Sequence, residues 1–170
     1  MSTAMTRSVS RGGLAGRLAA ALLLAGVALA APCGAADPGD AALTRVAGNW
    51  LTEPRDGIIQ ITVDAGGTLQ GRIVGGNHPG LQDVNNPDPA RRSLALRGQV
   101  ILTGMHYDGH GRWSGGTIYK PDGGSTYKCR IELTGRDELK VRGFIGFALL
   151  GITQTWTRYT GTSMDLPPQP

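Results

Sequence analysis

The sequence predicts an all-β protein, an antiparallel up-and-down barrel of about eight strands. Apolar and polar residues alternate with a period of two through most of residues 48–159, as in strands that bury one face. Glycine-rich turn sequences separate these runs, and the 22 glycines of residues 37–170 disfavour helices. A sheet with one apolar face loses its exposed edges when it closes on itself, which favours a barrel. A sandwich of two β-sheets is the alternative.

The alternation predicts eight strands joined by hairpins. It is clearest at 127–134, where Tyr127, Cys129, Ile131 and Leu133 share one face. The predicted strands are 48–52, 57–63, 68–75, 98–106, 112–119, 125–134, 138–145 and 152–159. Together they make one barrel domain over 48–159.

Three segments lie outside this pattern. Residues 37–47 are expected to be a short leader with one helical turn at 43–46. Residues 76–93 form a connection too long for a plain turn, so we expect a lid over one barrel end or a packed loop. The proline-rich tail 160–170 is expected to be disordered.

The N-terminal segment 1–36 has the pattern of a secretory signal peptide. Three arginines and no acidic residue precede an apolar run at 18–31. Gly34-Ala35-Ala36, a short distance after this run, fits a cleavage site. We therefore expect cleavage after Ala36 and a periplasmic or secreted protein. Cleavage there removes Cys33 and leaves Cys129 as a lone cysteine on the apolar face, which we expect to be buried.

Charge and hydropathy exclude two classes of partner. Loss of the three arginines in 1–36 lowers the formal net charge from +4 to +1, which argues against nucleic-acid binding. Residues 37–170 contain no run of 18 apolar residues, so we expect no membrane span. The oligomeric state stays open.

Both ends of the barrel sequence carry tryptophan. Trp50 lies near the start of the first strand, and Trp156 and Arg158 lie in the last. A guanidinium stacked on an indole ring closes one end of such a barrel. We therefore assign Trp50, Trp156 and Arg158 a structural, barrel-closing role.

An ordered set of motifs over 48–158 resembles the bacterial domain of unknown function 2147, a family of small exported proteins. The motifs are Gly48-x-Trp50, Gly71-Arg72-Ile73-Val74, Asp83-x-x-Asn86-Pro87, Leu96-x-Gly98-x-x-Ile101-Leu102, Trp113-x-Gly115-Gly116-x-Ile118-Tyr119-x-Pro121, Gly124-x-x-Tyr127, Leu139-x-Val141-Arg142-Gly143 and Gly151 to Arg158. The resemblance implies a lipocalin-like barrel in the cell envelope and no established activity. Members often carry two cysteines where this chain has Ala65 and Gln70, so that disulfide is absent here.

Polar residues on apolar faces are the candidate ligand-binding residues. The period of two places Tyr127 and Gln154 on the face that points into the barrel, because Tyr127 alternates with polar positions and Gln154 lies two residues from Trp156. Tyr119 and Tyr127 flank the turn at 121–124. An apolar pocket with a few polar groups is typical of small-molecule sites. The alternative is that Gln154 and Tyr127 bond to each other or to a buried water.

Two further sets of residues, an Asp–Asn pair and the three histidines, could be metal ligands, but each has a simpler explanation. Asp83 and Asn86 have oxygen ligands that suit calcium, but the glycine and closing glutamate of a calcium loop are missing, and Asx-turns before proline explain both residues more simply. Both stay candidates for ligand binding. The three histidines have no matched spacing, so we expect solvated side chains and no metal: His78, His106 and His110.

Three functions are compared. The first is binding of a small apolar or amphipathic molecule inside the barrel. The second is a structural or protein-interaction module with a filled barrel, which exposed phenylalanines at 144 and 147 would favour. The third, an enzyme, is disfavoured because no residues are spaced for catalysis and no cofactor motif is present.

Overall fold

The computed structural model describes residues 38–168, which form one α-helix, nine β-strands and two short 3-10 turns. The helix is α1 (Pro38–Val46). The strands are β1 (Gly48–Leu51), β2 (Gly57–Val63), β3 (Leu69–Gly76), β4 (Val100–Gly109), β5 (Arg112–Ser114), β6 (Thr117–Lys120), β7 (Ser125–Leu133), β8 (Glu138–Phe144) and β9 (Gly151–Arg158). The 3-10 turns are Pro89–Arg91 and Ala148–Leu150.

The strands form one antiparallel sheet that closes on itself. Strand β9 pairs with β8 and also with β1, and β3 pairs with both β2 and β4. Strands β5 and β6 occupy a single position, because each pairs with β4 on one side and β7 on the other. The result is a closed eight-stranded up-and-down barrel, as predicted, and the sandwich alternative is wrong.

Two glycines divide the predicted strand 112–119 into β5 and β6. Gly115 has a φ of +81°, in the left-handed region that favours glycine. A methyl group on Gly116 would overlap the carbonyl oxygen of Thr103 on the neighbouring β4. The strand therefore bends here and keeps its place in the barrel.

The barrel interior holds the side chains that the period of two assigns to it. On β7 the buried or half-buried residues alternate with exposed ones, and Cys129 and Ile131 are fully buried. The three tryptophans lie among the largest buried side chains. The core cluster comprises Ala42, Val46, Trp50, Ile59, Ile61, Leu69, Ile101, Leu102, Met105, Trp113, Cys129, Ile131, Leu139, Val141 and Trp156.

Helix α1 is longer than the predicted single turn and belongs to the barrel core. Ala42 and Val46 are buried, and the indole nitrogen of Trp50 donates a 2.8 Å hydrogen bond to the Val46 carbonyl. Arg45 Nη2 donates to the Gly135 carbonyl in the β7–β8 turn at 2.7 Å. The expectation that 37–47 is only a leader needs correction, since α1 covers one end of the barrel, here called the closed end.

Residues 160–168 of the tail are ordered where the sequence predicts disorder. Gly76 N donates to the Met164 carbonyl, and Leu166 N donates back to the Gly76 carbonyl, both at 3.0 Å. Asp165 forms an ion pair with Arg97. The backbones approach this closely because β3 ends in two glycines, and a side chain at Gly75 would overlap the Met164 carbonyl.

The predicted signal peptide, its cleavage site and Cys33 lie outside the described residues. Within residues 38–168, no helix has the length and hydropathy needed to cross a bilayer.

Candidate functional site

A cavity of about 680 Å³ opens at the end of the barrel opposite α1, here called the open end. Four connections surround it, namely β1–β2, β3–β4, β6–β7 and β8–β9. Its inner walls are apolar and come from Ile59, Ile73, Ile101, Ile118, Val141 and Trp156. Its outer rim adds polar and charged side chains, including Asp56, His78, Arg97, Lys120 and Asp122.

The cavity exists partly because one inward position holds a glycine. A Cβ atom on Gly143 would lie 3.5 Å from Ile118 Cγ2 and 3.6 Å from Tyr127 Cβ, which is ordinary contact. Gly143 itself lines the cavity, so its missing side chain leaves this part of the wall open. Gly71 differs, because a Cβ there would lie 2.8 Å from Leu102 Cδ1 in the packed core.

Gln154 and Tyr127 both line the cavity, as their parity predicts. Gln154 Oε1 accepts a 2.9 Å hydrogen bond from Trp156 Nε1, so it satisfies the indole rather than Tyr127. Within residues 38–168, neither the amide nitrogen of Gln154 nor the hydroxyl of Tyr127 has a hydrogen-bond partner. Both groups can therefore bond to a molecule in the cavity.

Trp156 lies on the cavity wall and not at the closed end. It is buried, pairs with Leu139 of β8, and contributes to the lining. Its grouping with the barrel-closing residues therefore needs correction. Strand β9 explains the difference, because Arg158 follows Trp156 by two residues, which places their side chains at different depths in the barrel.

Trp50 and Arg158 do close the opposite end. The Arg158 guanidinium lies 4.3 Å from the centre of the Trp50 ring. Arg158 Nε donates to Asp137 Oδ1 at 3.0 Å, and its terminal nitrogens donate to the carbonyls of Arg45 and Ala47. These contacts bind β9 to the segment that joins α1 to β1.

Asp83, Asn86 and Tyr119 form a hydrogen-bonded cluster that fastens the 76–93 loop to β6. Asp83 is 0% exposed and Asn86 is 6% exposed. Tyr119 donates to Asp83 Oδ1 and Asn86 Nδ2 donates to Asp83 Oδ2, each at 2.6 Å. Partial burial, followed by the bond to Asp83, raises the pKa of Tyr119 from 10.0 to about 12.

This cluster places the five candidate residues in two groups. Tyr119, Tyr127 and Gln154 line the cavity, whereas Asp83 and Asn86 do not. Both carboxylate oxygens of Asp83 already accept hydrogen bonds from this chain, and Asn86 forms an Asx-turn, because its Oδ1 accepts from Asp88 N at 2.9 Å. The loop is thus packed against β6, and its first residues, 77–81, form one side of the rim.

The remaining reactive side chains offer no further site. His78, His106 and His110 are exposed, and within 38–168 no group of three or more metal-ligating residues is gathered. Cys129 is buried, as predicted, and its burial raises the pKa of the thiol to about 12. The thiol is therefore protonated at neutral pH and a poor nucleophile.

Sequence reasoning missed several cavity residues. Ile118, Val141 and Gly143 line the cavity. Their positions in the alternation of the strands also face inward, so the sequence held a signal that could have identified them. The rim residues Arg97 and Lys120 had no such signal, because their place depends on how the loops pack around the open end.

A solved structure has the same fold as this chain. It is described as protein HP1028 from the human pathogen Helicobacter pylori, which belongs to the lipocalin family. The match has a TM-score of 0.61 at 20% identity and covers 67% of this chain and 82% of that chain. The similarity shows a lipocalin-like fold.

No curated protein matches the sequence. A family model matches residues 48–158, which includes every strand of the barrel. The model is described as "Uncharacterized protein conserved in bacteria (DUF2147)". The chain therefore belongs to this bacterial family, the domain of unknown function 2147.

Proposed function

We propose that the chain binds a small apolar or amphipathic molecule in the cavity at the open end. The observation that carries the proposal is the cavity of about 680 Å³ with apolar inner walls. It also holds two polar groups, on Tyr127 and Gln154, that have no hydrogen-bond partner among the described residues. Volumes of roughly 300–1,000 Å³ with few polar groups are typical of small-molecule sites. The lipocalin-like fold of the chain is consistent with this use.

The distribution of polarity gives the bound molecule an orientation. Its apolar part lies against Trp156 and Val141, and a polar group lies near the rim. The rim carries both signs of charge, because Lys120 pairs with Asp122 at 3.0 Å and Arg97 pairs with Asp165. A neutral or zwitterionic head group therefore suits the rim as well as a charged one.

The proposal includes the location and the absence of catalysis. The arginines and the apolar run of residues 1–36 support export to the periplasm or beyond. A binding role without catalysis is supported by the lining, whose inner part consists of apolar side chains, an amide and a phenol.

A glycine substitution that fills the cavity tests the binding site. Gly143→Leu should place an isobutyl group in the cavity without backbone overlap, because the nearest atoms lie at 3.5–3.6 Å from the added Cβ. The probe is N-phenyl-1-naphthylamine, an apolar fluorophore whose emission rises in apolar surroundings. We expect saturable binding by the wild type and at least tenfold weaker binding by Gly143→Leu, about 1.4 kcal/mol.

The matched control is Gly135→Leu in the β7–β8 turn of the closed end. In the part of the chain that the structure describes, the nearest atom to an added Cβ there is Glu138 Cβ at 3.8 Å, so we expect the same substitution to be tolerated away from the cavity. It should bind the probe as the wild type does. Equal affinities for wild type and Gly143→Leu, or no saturable binding to the wild type, would contradict the cavity as the binding site.

A second candidate function, an interaction module, is favoured by one observation. The β8–β9 loop, residues 145–150, exposes Phe147, Leu149 and Leu150. Phe144 itself is half-buried at the rim. Exposed apolar clusters mark contact surfaces.

A further inference from the structure

The β8–β9 loop presents an apolar surface beside the open end. Phe147 is 79% exposed, Leu149 is 90% exposed and Leu150 is 77% exposed, and Ile145 and Ile152 next to them are also exposed. The side chains of Ile145, Leu150 and Ile152 also line the cavity. Apolar side chains gathered at one tip lose unfavourable contact with water when a partner covers them.

The loop is held in this shape by Arg142 of β8. Arg142 Nε donates to the Ala148 carbonyl at 2.6 Å, and Nη2 donates to the Leu149 carbonyl at 3.2 Å. Leu150 N also donates to the Phe147 carbonyl at 3.0 Å. The carbonyls of residues 147–149, here called the tip, are therefore satisfied within the protein, which lowers the cost of moving the tip into an apolar medium.

Basic residues lie on the outer face of the barrel directly below the tip. Lys128 pairs in register with Phe144, and Arg130 pairs with Arg142. Among the described residues, none of these three cations forms an ion pair with a carboxylate. Like charges placed opposite each other in a sheet are unfavourable, so an anionic partner would relieve the Arg130–Arg142 repulsion.

We propose that the β8–β9 loop docks on the surface of an anionic lipid bilayer. The tip residues enter the boundary between head groups and acyl chains, and Lys128, Arg130 and Arg142 contact the anionic head groups. Charge decides between a bilayer and a second copy of this chain. A two-fold contact through the same patch would bring these cations against their own counterparts.

This inference goes beyond the proposed function and does not require it. Docking through the loop places the open end of the barrel beside the bilayer, since residues of the loop line the cavity. An amphipathic molecule leaving the bilayer would then meet the cavity directly.

Vesicle flotation tests the proposal. The protein is expressed from its full sequence, its N-terminus is determined by mass spectrometry, and all variants are compared in the same processed form. The vesicles are phosphatidylcholine alone or phosphatidylcholine mixed with phosphatidylglycerol. We expect flotation with the anionic vesicles only, weakened by added salt.

Two double variants separate the apolar and the charged contributions. Phe147→Ser with Leu149→Ser removes the tip, and Lys128→Gln with Arg130→Gln removes two cations but leaves Arg142 to hold the loop. Each should weaken binding to anionic vesicles at least tenfold, which corresponds to about 1.4 kcal/mol. Both should keep the wild-type affinity for N-phenyl-1-naphthylamine in solution, so failure of docking and failure of the cavity are distinguishable.

Matched controls use residues of the same kind at other places. Val84→Ser with Leu94→Ser removes two exposed apolar side chains of the β3–β4 connection. Arg112→Gln with Lys140→Gln removes two cations that both pair in register with Glu132. These variants should float as the wild type does.

Three outcomes would overturn the proposal. The first is a wild-type protein that does not float with anionic vesicles. The second is flotation that the tip and charge variants leave unchanged or that the controls reduce equally. The third is a concentration-dependent dimer that the Phe147→Ser, Leu149→Ser variant abolishes, which would assign the loop to a second copy of the chain.

Discussion

Gly71 and Gly143 occupy inward positions on two strands and have opposite effects on the interior. At Gly71 the missing side chain lets Leu102 pack against the strand, and at Gly143 it leaves space that belongs to the cavity. The period of two predicts that both face inward. It cannot distinguish them, because the difference depends on which residues of neighbouring strands lie opposite.

Tyr119 illustrates how a single hydroxyl fastens a long loop. It donates to the buried Asp83, and its pKa is raised to about 12, first by partial burial and then by this bond. Because the folded state favours the protonated phenol, this contribution to stability is fully present below pH 10. It is lost as the pH rises towards 12.

Tyr119→Phe should therefore change how stability depends on pH. The variant leaves one oxygen of Asp83 without its donor, so we expect it to be less stable at neutral pH by about 1–3 kcal/mol. The difference from wild type should shrink between pH 10 and 12, when wild-type Tyr119 also loses its proton. Urea unfolding at several pH values measures this.

The control for that experiment is Tyr127→Phe. It removes a tyrosine hydroxyl that has no hydrogen-bond partner within residues 38–168, so the pH dependence of unfolding should follow that of the wild type. If the loss in free energy of unfolding caused by Tyr119→Phe stays constant up to pH 12, the stability does not depend on the proton of Tyr119, which would contradict this account.

At the scale of elements, the interrupted strand makes a direct prediction. Gly116→Ala should destabilise the barrel by about 1–3 kcal/mol, since its methyl group would overlap the Thr103 carbonyl and the Met105 sulfur. Gly123→Ala, in a turn with no atom within 4 Å of the added Cβ, should change stability by less than about 0.5 kcal/mol. Thermal unfolding compares the two, and an equal effect would show that β5 and β6 pack more loosely than described.

The strands could be predicted from the sequence, and the two terminal segments could not. Apolar and polar residues alternate because each strand buries one face. Each predicted strand is therefore found in the structure within a few residues of its predicted bounds. Helix α1 and the tail at 160–168 are ordered by contacts with distant residues, including Gly135 and Gly76. Composition near a terminus does not report such contacts.

The candidate site was predictable to the same degree. Parity placed Tyr127 and Gln154 inside the barrel, and both line the cavity. The bond between Gln154 and Trp156, and the role of Asp83 as an anchor for the loop, required the three-dimensional arrangement. The sequence alone does not indicate whether a carboxylate in a loop will bind a ligand or accept a hydrogen bond from a tyrosine.

At the scale of the whole molecule, the two ends of the barrel differ in structure. The closed end is sealed by α1 and by Arg158 stacked on Trp50. The open end gathers the cavity, the anchored 76–93 loop and the apolar β8–β9 loop. The side chains that seal the closed end, Trp50 and Arg158, do not line the cavity, so a cavity can persist in a barrel whose other half is filled.

The mass of the native protein tests the central claim, that the cavity holds a small molecule, most directly. The protein is isolated from expressing cells without detergent and weighed under native and denaturing conditions. The account predicts a native excess on the order of a few hundred daltons, the size of ligand that such a cavity accepts, and its loss in Gly143→Leu. Equal native and denatured masses in repeated preparations, or an excess that Gly143→Leu retains, would contradict it.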